Sequence, residues 1–267
     1  MKIKYGSDIH LEFSFLDHER IENTDNSDVL VLAGDIILAS ALSDMDDDFN
    51  RKNSIYHDFF QYCCKEYKDV IYIMGNHEHY KGDINKTYGR IKKYLGYLPN
   101  LHIVENEKVV IDDVTFLCAT MWTDMNKNDP VTMNSISRLM NDFFIISKGS
   151  RTFHPKDAYK FHVETMEFFK NELDKTENKK VVMVTHHCPS MECIPDKYRG
   201  DVALNSGYMT DLSEFILDYP KISHWICGHS HNRMDFMLGN TNIVQNCRGY
   251  YSVEPMEVSF EFKTFEV

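Results

Sequence analysis

Long apolar runs are the clearest omission from this sequence, and no uninterrupted stretch is long enough to span a bilayer. Met1-Lys2-Ile3-Lys4-Tyr5 passes straight into a strand pattern, without the apolar segment and small-residue cleavage site of a signal peptide. A cytoplasmic location and no membrane partner are the expectation. Positive charge is also short: 29 Lys and Arg stand against 41 Asp and Glu, a net charge of −12. That balance works against stable nucleic-acid binding, in which Lys and Arg neutralise phosphates. It leaves room for a small anionic substrate, because a bound metal pair reverses the sign locally. The seven cysteines are an odd number, without zinc-finger spacing, and sit mostly in apolar runs (Cys118, Cys227) or as the pair Cys63-Cys64. Reduced, structural thiols follow. Internal repeats and low-complexity segments are missing as well.

What is present suffices for a sizeable core: 43% of the 267 residues are hydrophobic, with 17 Phe and 15 Tyr. The length suits one large α/β domain, and we expect residues 1–267 to form a single one. Apolar runs recur along the chain and end in polar residues. Residues 2–8 read as a first strand that leads into Asp8-Ile9-His10. Strand alternation sets Asp8 and His10 on one side, where a carboxylate and an imidazole can meet one ion. The run Asp28-Val29-Leu30-Val31-Leu32-Ala33 suits a strand buried on both faces and closes on Gly34-Asp35. Asp35 then stands beside Asp8, and two such carboxylates repel unless a metal joins them or one keeps its proton.

Three more runs repeat the pattern. Val70-Ile71-Tyr72-Ile73-Met74 delivers Gly75-Asn76-His77-Glu78-His79-Tyr80 to the rim of a sheet, where α/β proteins keep their chemistry. Val181-Val182-Met183-Val184-Thr185 ends in His186-His187-Cys188-Pro189, and His224-Trp225-Ile226-Cys227 ends in Gly228-His229-Ser230-His231. Helices are expected from about Ile55 to Lys65, over 84–98 where apolar residues recur at spacings of 4, 3, 4 and 3, over 155–173 and over 211–217. Strands at 101–104, 108–111, 114–119, 234–238, 242–245 and 258–262 complete the sheet. Residues 40–53, with Asp44, Asp46, Asp47 and Asp48, read as an acidic loop without the Gly and Glu of a calcium loop. Segments 125–153 and 190–207 lose periodicity and are expected to be irregular, the first as a substrate-facing insertion and the second as another such candidate.

Seven of the 13 histidines fall in these strand-end stretches: His10, His77, His79, His186, His187, His229 and His231. Their mixture of nitrogen and oxygen donors, without thiolate, suits Mn, Fe or Zn, and the donors are numerous enough for two ions sharing one carboxylate.

Asp8-x-His10, Gly34-Asp35, Gly75-Asn76-His77-Glu78, Thr185-His186 and Gly228-His229-x-His231, in this order, resemble the calcineurin-like metallophosphoesterase superfamily. Trp122-Thr123-Asp124 and Asn141-Asp142 resemble segments of its bacterial and phage-like subgroup, whose members are largely uncharacterised. The resemblance implies an α/β fold, a four-layer α/β/β/α sandwich of two mixed sheets flanked by helices. It implies that Asp8, His10 and His231 hold one divalent metal ion, that Asn76, His186 and His229 hold a second, and that Asp35 bridges them. His77 would be no ligand, but a general acid for the leaving oxygen or a cation beside the phosphoryl oxygens.

Two cations about 3.5–4 Å apart can clamp a phosphoryl group and lower the pKa of a bridging water to the hydroxide that attacks it. The expected function is therefore hydrolysis of a small phosphodiester or phosphomonoester, with nucleotides among the candidates. Arg248, Arg138 and His187 are candidate substrate contacts, since guanidinium matches phosphate geometry. The alternatives are a protein Ser/Thr phosphatase, whose extended Arg-rich motifs are missing, a nuclease, and a scaffold that keeps the fold without the chemistry.

Overall fold

The structure is a computed structural model that describes residues 1–13, 20–45, 50–178, 180–250 and 260–267. Two sheets are stacked. In the first, Lys2–Gly6, Val29–Ala33, Asp69–Ile73 and Leu101–Val104 run parallel side by side, and Lys263–Glu266 lies antiparallel on the outer edge of Lys2–Gly6. In the second, Thr241–Asn246, Ile222–Cys227, Lys180–Thr185 and Val114–Ala119 are parallel, between antiparallel edges Arg233–Leu238 and Glu107–Ile111.

The unbroken apolar runs now have a physical reason. Along Val29–Ala33, Val29, Val31 and Ala33 face the second sheet, whereas Leu30 and Leu32 face the outer helices. Lys180–Thr185 does the same: Val182 and Val184 point inward, and Val181 and Met183 outward. Each strand buries both faces, so neither face can be polar. Helices Arg51–Glu66 and Ile84–Leu95 cover the first sheet through Tyr56, Phe59, Phe60, Ile91 and Leu95. Pro155–Lys175 and Ser213–Asp218 cover the second through Phe169, Leu173 and Ile216. The result is the expected four-layer α/β/β/α sandwich of two mixed sheets.

Caps set several boundaries. Arg51–Glu66 starts ahead of its apolar spacing because the Asn50 side chain accepts from Asn53 N. Pro155–Lys175 starts with Pro at its first turn and a reciprocal cap between His154 and Asp157.

Several expectations need correction. Leu101–Val104 and Glu107–Ile111 are neighbours in sequence but lie in different sheets, so the chain crosses the sandwich between them. The closing strand is Lys263–Glu266 in the first sheet, where Phe265 packs on Tyr5 with ring centroids 5.5 Å apart; residues 260–262 are not strand, and 258–259 lie outside the described residues. Asp46, Asp47 and Asp48 also lie outside them. Segment 125–153 is not irregular: it contains the helix Pro130–Leu139, capped by Asp129 and begun by Pro130, with Met133 and Ile136 buried three residues apart. Ten residues carry too few apolar positions for periodicity to show, so the cap was the readable signal. Segment 190–207 is a series of short turns, Met191–Cys193, Asp196–Tyr198 and Val202–Asn205.

Candidate metal centre and its cavity

The five motifs follow the C-terminal ends of five parallel strands, three in the first sheet and two in the second. The two sheets thereby deliver one constellation. Donor atoms of Asp8, His10 and His231 all lie within 4.8 Å of one another, as do those of Asp35, His186 and His229. His10 Nε2 is 3.1 Å from His231 Nε2, and His231 Nε2 is 3.4 Å from Asp8 Oδ1. His186 Nε2 is 3.4 Å from Asp35 Oδ2 and 3.1 Å from Asn76 Oδ1. Asp35 Oδ2 is also 3.9 Å from His10 Nε2, so this carboxylate faces both groups.

Strand alternation is not what aligns Asp8 with His10, because the strand stops at Gly6. Asp8 (φ 54°), His10 (φ 50°), Asp35 (φ 55°), His229 (φ 69°) and His231 (φ 49°) all occupy the left-handed region. Such backbone costs on the order of 1–3 kcal/mol per residue and persists where the surroundings over-determine it. Here the constraint is visible. A Cβ on Gly75 would lie 2.7 Å from His186 Cε1, and one on Gly228 would lie 2.6 Å from Ser7 Oγ. Only glycine lets these backbones approach so closely.

Glu78 ties two of the loops together. Its carboxylate accepts from Asp35 N (3.0 Å), Ile36 N (2.7 Å), Gly75 N (2.6 Å) and the Tyr72 hydroxyl (2.9 Å). Burial, with the charge of Asp35, pushes its pKa up to about 7. His186 Nδ1 lies 2.9 Å from the Ala33 carbonyl, to which the ring donates Nδ1–H; burial disfavours its charge, but Asp35 outweighs that and raises its pKa to about 10.

The electrostatics suit cations. Burial penalises the Asp8 and Asp35 charges, yet His231 holds the first and His186 the second below the usual carboxylate range. Two ionised, buried carboxylates thus share one site. His229 is kept neutral by burial, and its Nε2 is buried without a hydrogen-bond partner among the described residues. An orphaned imidazole nitrogen beside ionised carboxylates is the donor chemistry a divalent ion requires, so the residues fit such ions.

His77 belongs to neither of these donor groups, although its ring lies 4.4 Å from that of His10 and Glu12 joins the two. Its Nδ1 is 2.8 Å from Glu12 Oε1, its Nε2 is 3.1 Å from the Tyr250 hydroxyl, and its ring stacks on Tyr80 with centroids 4.1 Å apart. Burial disfavours its charge, but Asp35 and Glu12 outweigh that and raise its pKa to about 8. Glu12 and Tyr250 were not legible in the sequence. Neither was the role of Asp142, which accepts from Asn76 Nδ2 at 2.8 Å and so turns Asn76 Oδ1 toward His186. The residue Glu12 lies two positions past His10, but only the turn Leu11–Phe13 folds it back.

The candidate substrate contacts are placed elsewhere. Arg248 Nη2 donates to the Ile9 carbonyl, and its backbone N donates to Ser7 O at 3.1 Å, so this Arg holds the Asp8 loop. Arg138 is exposed and donates to Asn134 Oδ1 at 3.3 Å. His187 is buried, 3.2 Å from the Thr120 carbonyl, and burial lowers its pKa to about 3. None of the three lines the cavity over the donors, which has a volume of about 380 Å³. Asp35, Asn76 and His229 reach its floor, while Asp142, Tyr198 and Tyr208 belong to its wall. Segments 125–153 and 190–207 both contribute to that wall. Among the described residues, no helix is long and apolar enough to cross a membrane.

With this geometry in view, comparison with known proteins defines the class. The profile of the calcineurin-like phosphoesterase family matches residues 1–233, and the chain belongs to that family. Membership makes it a metal-dependent phosphoester hydrolase by class. A curated relative, uncharacterized protein L509 of Acanthamoeba polyphaga mimivirus, is 29% identical over 93% of this chain and 91% of its own length. Among solved structures, the phosphopantetheinyl hydrolase PptH of Mycobacterium tuberculosis has a TM-score of 0.65 at 12% identity, covering 97% of this chain and 98% of that one. A dimetal phosphatase from Danio rerio has a TM-score of 0.57 at 12% identity, covering 98% and 91%. At such identities these likenesses establish the fold.

Proposed function

We propose that this protein hydrolyses a small phosphodiester or phosphomonoester, a nucleotide among the candidates, at a dinuclear metal centre. The observation that carries the reading is the Asp35 carboxylate, 3.4 Å from His186 Nε2 and 3.9 Å from His10 Nε2, between two donor groups. Asp8, His10 and His231 would hold one ion, Asn76, His186 and His229 the other, and Asp35 both. Two divalent ions there supply charge for the phosphoryl oxygens and an acidified water.

The remaining roles fall to the chain. Glu78 fixes the Asp35 and Gly75 loops, so the donors need little rearrangement. Glu12 keeps the Nδ1 of His77 engaged and its Nε2 directed away, toward the Tyr250 hydroxyl and the cavity. A protonated His77 Nε2 is the group suited to give a proton to the leaving oxygen.

The test is hydrolysis of bis-p-nitrophenyl phosphate and p-nitrophenyl phosphate with Mn²⁺, alongside metal analysis, then a panel of cyclic and linear nucleotides. Two ions per chain and turnover of one generic ester support the reading. His77→Ala should keep the metal and lose roughly 10²–10⁴-fold in turnover. Absence of both bound metal and Mn²⁺-stimulated hydrolysis would instead favour the scaffold.

A further inference from the structure

The cavity wall shows which charges the site can accept. Among its described lining residues none is Lys or Arg. The undescribed segments 14–19, 46–49 and 251–259 contain no Lys or Arg either, and the remaining undescribed residue, Lys179, precedes the strand whose other end carries His186. Arginines near the site are committed elsewhere. Arg199 is engaged by Glu192 (3.0 Å), Asp196 (3.2 Å) and the Ile194 carbonyl (2.9 Å), and Arg248 by the Ile9 carbonyl. Lys197 rests its ammonium 4.6 Å from the centroid of the Tyr198 ring and does not line the cavity.

We propose that the site selects phosphoesters with a single phosphoryl group and an uncharged remainder, and rejects nucleoside di- and triphosphates and other polyphosphates. The proposal rests on the phosphoester-hydrolase reading. In that reading one phosphoryl group is matched by the ions and His77, at the floor of the cavity. A second phosphate would extend along the wall past Asp142, Tyr198 and Tyr208, where it would meet a carboxylate and phenol rings. A desolvated anion without a cationic partner is costly, and sites that hold several phosphates supply Arg or Lys for them. Tyr198 and Tyr208 offer faces and hydroxyls to a neutral, flat group instead. Tyr208 is fixed for this, its ring 4.6 Å from that of His229.

The experiment measures AMP, ADP and ATP as competitive inhibitors of bis-p-nitrophenyl phosphate or p-nitrophenyl phosphate hydrolysis, with Mn²⁺ in excess of nucleotide. It is independent of whether the natural ester is a mono- or diester. The expected result is that ADP and ATP bind no more tightly than AMP. Tyr198→Arg, at a side chain already 52% exposed, should add the missing cation. It should lower the ADP-to-AMP ratio of inhibition constants by about fivefold or more, as a charge-assisted contact allows. Lys197→Gln should leave that ratio unchanged. If the generic esters are hydrolysed but ADP binds wild type about tenfold tighter than AMP, the wall carries a cation and this inference alone falls. An unaltered ratio in Tyr198→Arg would also overturn it. If neither generic ester is hydrolysed, the hydrolase reading falls and takes this inference with it.

Discussion

Around one cavity, the strand-end loops hold their side chains by constraint, whereas the wall from 125–153 and 190–207 holds its own by packing. In the loops, five proposed ligands have left-handed backbones, and Gly75 and Gly228 permit contacts that no side chain would. In the wall, Met140 and Leu204 pack into a cluster with Trp122 and Phe143. Strain is stored where position must be exact to fractions of an ångström; packing serves where a surface has only to fit. This difference predicts which substitutions abolish chemistry and which alter selection.

The largest effect should come from Asp35→Asn, which removes a carboxylate charge that faces both donor groups. We expect fewer than two ions per chain by metal analysis and turnover lower by on the order of 10³-fold or more, several kcal/mol of transition-state stabilisation. Retained stoichiometry and activity would erase the contrast between loops and wall.

Glu12→Gln should come next, with a fall in kcat of roughly 10–100-fold, as for partners that orient a first ligand or acid. The sign of its pH effect is set by His77. Asp35 and Glu12 raise the His77 pKa to about 8 against burial, so the imidazolium is present below that pH and lost above it. Loss of the Glu12 charge lowers this pKa, so the alkaline fall in kcat should move to lower pH. A pH profile with an unmoved alkaline limb would remove Glu12 from the site.

In the wall, Tyr208→Phe should raise KM by about threefold to tenfold, the net worth of one neutral hydrogen bond, with a smaller change in kcat. A large kcat loss would show that the wall takes part in chemistry. Arg138→Ala should do least: its guanidinium is exposed and bonded to Asn134, so KM should stay within about twofold. A clear rise in KM would return Arg138 to the substrate contacts.

Much of the fold and the donor set was legible because each motif is local. Val29–Ala33 and Lys180–Thr185 announce themselves as strands covered on both faces, and a strand covered on both faces can present polar groups only at its ends. Pro130–Leu139 does not show in the sequence because a short helix with two buried apolar positions has a weak period, and its evidence is the Asp129-Pro130 start. Arg248 read as a phosphate clamp because guanidinium chemistry is the same whether the acceptor is a substrate or the Ile9 carbonyl.

The amino-acid sequence by itself carried the family resemblance, and through it the expected two-sheet architecture and the proposed ligands, because the five motifs are short-range patterns of apolar runs ending in Gly, Asp, Asn and His. Tertiary structure alone decided that Glu12 and Tyr250 flank His77, that Asp142 turns Asn76, and that neither Arg248 nor Arg138 lines the cavity. Those contacts join residues 65, 173 and 66 positions apart in the first three cases. No local pattern encodes separations of that length; they exist only once the two sheets pack and bring their strand ends to one face.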